Sequence, residues 1–522
     1  MGERALAIDL GSSSVRTIVF ETGGAGWLTA VDGATARRPR QVSSSQPGQA
    51  TFGADSYLAD LVACIDELGA NGHLEGVSEV AMDCQMHSVV PLDATGRALG
   101  EVVAWADTRA SCPASVAAIG ADRRESLRQR TGCALAPMYW TWRVPWLAAA
   151  AGAGAPPGSG SSPAPARFVG LSEYVGLALL DDPTMSVSMA SGTGLLSTDD
   201  HAWDAEALEI AGTAAAALPP LAPADWEGRL VGDWKRRWPA LAGARWHPAL
   251  NDGAAANLGM GCDVPSRAAL TIGTSAAVRS VRPAAGHSVL PAGLWRYCVD
   301  YERVVLGAAF SSGGQLYSWA LALWEGSLGG GAAAAAAAAV SPGGPAHEVR
   351  YGLAMPVGAG SDGVLVLPWH AGTRPPALAV PAGEGTVVGL RLGHTGAHIV
   401  SAAVEAVCFQ LAGGLADLEA DGGQRLEVVA NGGAIERSPW WQQRLAATLD
   451  RPVLCSTVPE TTARGAAANA LGVQLSGRQV DGLMVEPAKS DVPALAQARR
   501  RWLDWYNRLL PIVSEPARQE PN

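Results

Sequence analysis

Apolar residues in this chain fall into short runs closed by glycine and small hydroxyl residues. Ala5 to Leu10 is apolar apart from Asp9, Gly11 to Ser14 form a tight polar turn, and Val15 to Phe20 restores the apolar pattern. Two β-prone runs around so short a turn predict a β-hairpin. Ala269 to Ser280 repeats the arrangement, with Gly273, Thr274 and Ser275 at the turn. Further β-like runs at Val77 to Met82 and Leu426 to Val429 lead into polar or Gly-Gly segments, and apolar residues recur at helical spacing over Trp440 to Leu449 and Val492 to Leu510. Strands and helices alternate in both halves, which predicts two related α/β domains with mixed sheets facing one another across a cleft. Turn residues over Asn257 to Pro265 place the boundary, giving domains over 1–258 and 259–485, then a terminal helix and tail over 486–522. Two low-complexity stretches, Ala148 to Ala166 and Gly329 to Gly344, read as a surface insertion and a second candidate break.

Composition narrows the class. The 522 residues are 48% hydrophobic and 17% charged, enough for large cores. A formal charge of −11 argues against a nucleic-acid-binding surface. The eight cysteines are scattered with no C-x-x-C pair, so they read as reduced thiols rather than a disulfide framework or zinc site. With no signal-like N-terminus and no apolar run that reads as a span, the expectation is a soluble cytoplasmic protein. Tryptophan is unusually common, 18 against 5 phenylalanines, which leaves a homodimer interface open, with core burial the default.

Candidate chemistry clusters at the ends of the predicted strands. In the first hairpin, Gly11 permits close backbone approach, and Ser12, Ser13 and Ser14 supply hydroxyl and N–H groups that can wrap phosphate oxygens. Asp9 repels a phosphate unless a Mg²⁺ or its water shell lies between them. The same segment also reads as an ordinary buried hairpin. Asp252 precedes a small-residue helix start, where an Asp is commonly an N-cap; its chemical reading is a general base that takes the proton of an attacking hydroxyl. Gln85 and His87 can hydrogen-bond several hydroxyls, and Trp105 offers an aromatic face near Asp107 and Arg109, a set that suits a sugar but reads equally as an Asp–Arg salt bridge. The glycine pairs Gly313-Gly314 and Gly432-Gly433 let a base or phosphate approach backbone N–H groups. There is no Walker A sequence.

In order, the segments IDLGSSSVR, CQMHSVVPLD, WADTR, MASGTGL, NDGAAANLGMG, IGTSAAVR, ANGGAIERSPWWQQRLA and TTARGAAANALG resemble the FGGY family of carbohydrate kinases, in the actin/hexokinase-like ATPase superfamily. The likeness runs from Ala5 to about Leu475. It implies two ribonuclease-H-like domains flanking a catalytic cleft, with ATP and Mg²⁺ bound mainly by the second. Asp9 would act on the magnesium shell. Gly11 to Ser14 and Gly273 to Ser275 would form two phosphate hairpins, and Gly313, Gly314, Gly432 and Gly433 would lie along the nucleotide. Asp252 matches the catalytic base, and Gln85, Met86, His87 and Trp105 fall on sugar-contacting segments.

IGTSAAVR, with Arg279, is most similar to the gluconokinase branch, although Arg279 lies beyond the hairpin turn and could be structural. QMHS resembles the QMHG segment shared by xylulokinases and gluconokinases, so it does not separate those two, and it disfavours glycerol kinase. The implied activity is ATP-dependent phosphorylation of a small sugar or sugar acid, gluconate first. A pentulose is the alternative acceptor, and a non-catalytic sensor is a more distant reading. Three departures from the family pattern stand out: Thr373 in Gly372-Thr373-Arg374-Pro375-Pro376 where a Glu is customary, Arg143 where a lysine is common, and Ser401 where an arginine is frequent before a helix over Ala402 to Leu411.

Overall fold

The computed structural model describes residues 2–24, 27–110, 112, 114–152, 164–285, 289–327, 357–374, 383–476 and 480–514. The stretch Gly329 to Gly344, most of Ala148 to Ala166, Pro375, Pro376 and the end of the tail lie outside them.

The principal strands of the first half are β1 (Arg4–Leu10), β2 (Ser14–Thr22), β3 (Leu28–Pro39), β4 (Val77–Cys84), β5 (Arg245–Trp246) and β6 (Leu250–Asn251). They form a sheet in the order β5-β4-β1-β2-β3, with β6 also on β4. The second half contributes β7 (Arg267–Ile272), β8 (Ala276–Pro283), β9 (Trp295–Cys298), β10 (Arg303–Phe310), β11 (Glu427–Asn431), β12 (Val453–Ser456) and β13 (Gly482–Val485), in the order β9-β10-β8-β7-β11-β12-β13. Both predicted hairpins are present. Each is the centre of the same arrangement: β1 and β7 pair antiparallel with the strand that follows and parallel with a strand from further along, β4 and β11. The internal echo in the sequence is therefore a repeated sheet plan.

Pleating decides what each face of β1 meets. Leu6, Ile8 and Leu10 point to α1 (Ala54–Ala70), packing with Tyr57, Leu61, Ile65 and Leu68. Ala5 and Ala7 point the other way, where small side chains admit Ala463, Ala467 and Ala468 of a helix from the far end of the chain. Asp9 follows Ala5 and Ala7 at period two and so shares their face.

The principal helices that follow are α2 (Asp252–Gly259), α3 (Gly314–Ser327), α4 (Gly396–Gly422), α5 (Pro439–Leu449), α6 (Thr461–Ala470) and α7 (Val492–Ser514). The alanines under β1 belong to α6, which crosses α2 so closely that a Cβ on Gly465 would stand 1.9 Å from the carbonyl oxygen of Ala255. Only glycine allows that approach. Because α2 runs to Gly259, the turn residues read at Asn257 to Gly259 are helical, and the turn begins after them.

Among the described residues one helix, α4, is long and apolar enough to cross a membrane by length and composition, but 78% of its most apolar window is buried inside the protein. It is the central helix of the second core, with Val400, Val404, Val407 and Leu411 all buried. Ser401 lies inside this helix, fully buried, rather than before it. The terminal helix α7 is longer than its pattern predicts and docks on the second half through Leu495, Ala498 and Trp502. Trp140, Trp246, Trp369 and Trp441 are among the largest fully buried side chains, consistent with core roles.

Candidate active site

The carboxyl ends of β1 and β4 place Asp9 directly beside Asp83, in parallel register. Asp9 is 6% exposed, and Asp83 is fully buried with neither carboxyl oxygen hydrogen-bonded to a donor. The two carboxyls stand within hydrogen-bonding reach of one another, so burial and mutual repulsion raise Asp83 well above the usual range. Burial lifts Asp9 to about 6, against the opposing pull of Arg16, whose Nε is 3.6 Å away. Thr462 at the start of α6 donates to Asp9 at 3.4 Å, and Arg16 also pairs with Glu460, so segments from both halves meet at this carboxylate. Crowded, hard oxygen donors with incomplete neutralisation fit a divalent cation of the Mg²⁺ type.

The first turn reaches the same place. Gly11 accepts from the Tyr57 hydroxyl through its carbonyl, Ser12 lies 3.5 Å from Trp105 Nε1, and Ser13 is exposed. Ser14 differs: it opens β2, is fully buried, and its hydroxyl accepts from Arg16 Nε at 3.0 Å. The second turn is tied to the glycine segments by backbone bonds, Gly314 N–H to Gly273 O at 2.7 Å and Gln315 N–H to Thr274 O at 3.3 Å. A Cβ on Gly313 would stand 2.5 Å from the Ser275 carbonyl carbon. Gly432 has φ of 108° and abuts the Ile272 carbonyl, with Gly433 opening the next helical turn. Gly273 to Ser275, Gly313, Gly314, Gly432 and Gly433 thus gather at the ends of inner strands of the second sheet, after β7, β10 and β11.

Asp252 is the first residue of α2, but it is not the cap. Asn251 caps the helix, its side chain accepting from Ala254 N–H at 2.7 Å. Asp252 is left half-buried in the cleft, with one carboxyl oxygen accepting from its neighbour Gly253. Burial raises its pKa and the Arg279 guanidinium opposes the rise. Arg279 therefore reaches the site from β8, with a buried Nε that no acceptor meets.

The 85–87 segment lies against this carboxylate. Gln85 is 2% exposed and neither of its amide atoms has a partner. Met86 packs on Gly192 and Gly253. His87 adopts φ of 68°, and its Nδ1 meets the Gly192 carbonyl at 2.6 Å. That bond puts the ring proton on Nδ1 and leaves Nε2 as an acceptor. Burial holds the ring neutral, with a pKa lowered to about 3. Tyr139 and Tyr297, joined hydroxyl to hydroxyl at 2.8 Å, wall the ring edge-on. Trp105 faces the cleft with the Arg374 guanidinium 4.8 Å from its ring centroid. Asp107 and Arg109 form the salt bridge that the sequence also allowed, at 2.7 Å.

Arg143 is fully buried beneath these segments and donates to the carbonyls of Pro137, His87, Trp105 and Asp107 at 2.8–3.0 Å. It clamps the His87 and Trp105 segments together. The reading from residues alone missed Asp83, Tyr297, Arg374 and this role of Arg143. Asp83 was findable, since it precedes Gln85 at strand period; Tyr297 carries no local signal.

Away from the cleft, Asp362, His394 and His398 lie close together. His394 Nδ1 accepts from Arg391 N–H and His398 Nδ1 from Thr395 N–H, which leaves the ring protons on Nε2 and no free lone pair for a metal.

Residues 4–259 match the model of the FGGY carbohydrate kinase N-terminal domain, and residues 268–471 that of the C-terminal domain. The chain is 25% identical over 484 residues to a gluconokinase of Bacillus subtilis, covering 91% of this chain and 88% of that protein. It is 28% identical to a glycerol kinase of Rhizorhabdus wittichii, over 88% of this chain and 86% of the relative. The fold superposes on a gluconate kinase from Lactobacillus acidophilus with a TM-score of 0.81 at 20% identity, covering 99% of this chain and all (100%) of the other, and on a xylulose kinase from the same organism with 0.82 at 20%, covering 98% and 99%. Matched across both domains, the chain belongs to the FGGY family of carbohydrate kinases, ATP-dependent phosphotransferases with an actin-like two-domain fold.

Proposed function

We propose that this kinase phosphorylates an aldonate, with D-gluconate converted to 6-phosphogluconate as the leading case. The observation that carries the reading is Arg279, whose Nε would stand 3.3 Å from a Cβ on Gly253, at the start of α2, and whose charge acts on Asp252. A cation beside the base serves an acceptor that brings its own negative charge. It also favours the ionised form of Asp252, which burial alone would suppress.

In this reading Asp252 removes the proton from the attacking hydroxyl. His87 Nε2 and Gln85 orient the other hydroxyls, and Trp105 packs on the carbon chain. The turns at Gly11 to Ser13 and Gly273 to Ser275 hold the phosphates through backbone N–H groups, with Gly313, Gly314, Gly432 and Gly433 along the nucleotide. Asp9, with Asp83 beside it, would hold Mg²⁺, which when bound neutralises triphosphate charge.

A pentulose acceptor would use Gln85 to His87 equally well but would bring Arg279 no anion beyond Asp252. A non-catalytic sensor would have no need of a base freed from its cap. The test is ADP release across D-gluconate, D-xylulose, L-ribulose, glycerol and L-rhamnulose. Gluconate should give the highest kcat/KM, and a preference for any neutral sugar would overturn the assignment.

A further inference from the structure

Asn251, the residue before Asp252, is fully buried, and both polar atoms of its side chain are engaged. Capping α2 uses only the amide oxygen, which accepts from Ala254 N–H at 2.7 Å. The amide nitrogen reaches elsewhere. Nδ2 donates to the Ser188 hydroxyl at 2.9 Å and to the Cys298 carbonyl of β9 at 3.0 Å. The Asn251 backbone N–H also donates to the Ser188 hydroxyl, at 3.0 Å. A serine caps a helix as well as an asparagine does but carries no such nitrogen, so the cap alone does not call for asparagine here.

The partners of that nitrogen lie on one short helix, Val187–Ser191, and on the strand beside it. The Ser191 hydroxyl donates to the Ser188 carbonyl at 2.8 Å and accepts from Cys298 N–H at 2.9 Å, which closes a ring of bonds through Asn251, Ser188, Ser191 and Cys298. All four residues are buried, and hydrogen bonds in such dry surroundings hold geometry firmly. The same two elements carry the acceptor pocket. Gly192, just after the short helix, offers the carbonyl that His87 Nδ1 meets at 2.6 Å, and Tyr297, just before Cys298, joins Tyr139 at 2.8 Å.

We propose that Asn251 is a positioning residue for the reaction: its amide nitrogen fixes the start of α2 against the Val187–Ser191 helix and β9, and so sets where the Asp252 carboxylate meets the attacking hydroxyl. The inference rests on Asp252 as the base and holds whichever sugar accepts the phosphate. Asp252 is the next residue along the chain, so a shift of the helix start carries its carboxylate with it. A displacement of about 1 Å can cost a reaction about 10²-fold.

The experiment is steady-state turnover of the full chain with ATP, Mg²⁺ and the sugar of the panel above that it uses best. Asn251→Ser keeps a capping oxygen and removes the nitrogen. It should lower kcat about 10- to 30-fold while KM for the acceptor and for ATP stays within about twofold. In the Asp252→Asn background the same change should alter the residual kcat by less than about twofold, because the carboxylate it positions is gone, whereas a general loss of folded protein would lower both backgrounds alike. Ser188→Ala removes the partner hydroxyl from the other side and should reproduce both results; circular dichroism checks folding, and if Asn251→Ser does not fold, Ser188→Ala decides by the same criteria. A wild-type kcat in folded Asn251→Ser, or an equal loss in both backgrounds, overturns the inference and leaves Asp252 as the base. If Asp252→Asn itself keeps near-normal turnover, the base assignment fails and the inference with it.

Discussion

Replacing Arg143 with lysine keeps the charge and should still damage the enzyme in a specific way. The guanidinium serves five carbonyls through three nitrogens: Nε to Pro137 at 3.0 Å, one terminal nitrogen to His87 at 2.8 Å and Val103 at 3.5 Å, and the other to Trp105 and Asp107 at 3.0 Å. No carboxylate pairs with it directly, because Asp107 spends its oxygens on Arg109 and the Ala50 N–H. Burial accordingly lowers its pKa to about 10. Lysine offers three donors on one nitrogen, so it leaves at least one carbonyl unserved and cannot reach both ends of the fork. Each buried carbonyl stripped of its donor costs about 1–3 kcal/mol, so Arg143→Lys should lose roughly 2–5 kcal/mol. Urea unfolding followed by tryptophan fluorescence measures that loss. Because the clamp sets the positions of His87 and Trp105, the acceptor KM should rise about 10- to 100-fold while the KM for ATP stays within a factor of about two. An unchanged unfolding midpoint together with an unchanged acceptor KM would refute the clamp.

Asp252→Asn should lower kcat by about 10²–10⁴-fold, while acceptor binding and the unfolding midpoint stay near wild type because Asn251 carries the helix cap; near-normal turnover would remove Asp252 as the base. Glu173 is buried, with a carboxyl pushed up to about 7 from 4.5. Its raised pKa means the folded state prefers the protonated acid, so its stabilising contribution is complete below pH 4.5 and is lost as pH rises towards 7. Glu173→Gln should therefore match wild type at pH 4.5 and exceed it by about 3 kcal/mol at pH 8; equal stability at both pH values would contradict the burial argument.

Much of the fold and half of the site were legible from local pattern. The hairpins around Gly11 to Ser14 and Gly273 to Ser275 are written in period-two apolar runs broken by small residues, and a turn of that kind folds the same way wherever it lies. Asp9, Gln85, His87 and Asp252 were singled out because each sits at or just beyond the end of such a run. Errors came where a neighbour decided the outcome. Asp252 was read as a possible cap, but Asn251, one residue earlier, takes that role and leaves the carboxylate in the cleft. Ser14, read with the turn, opens β2 instead, and its hydroxyl accepts from Arg16. The α4 helix carries enough apolar length for a membrane and is instead wrapped by the second core.

By itself, then, the order of residues determined the two hairpins, their small-residue turns and the strand ends where Asp9 and the glycine pairs stand, because those features depend on contacts within a few residues. The acceptor pocket was decided only by tertiary structure. Arg374 and Trp105 are separated by more than half of the chain, as Asp9 is from Thr462, and they meet because the loop that carries Arg374 and the small-residue crossing of α2 and α6 hold the halves together. Charge balance in that pocket is a sum over residues that share no sequence neighbourhood. That is why the surroundings of Asp252, with Arg279 from β8 and Met86 from the segment after β4, became visible only in the fold.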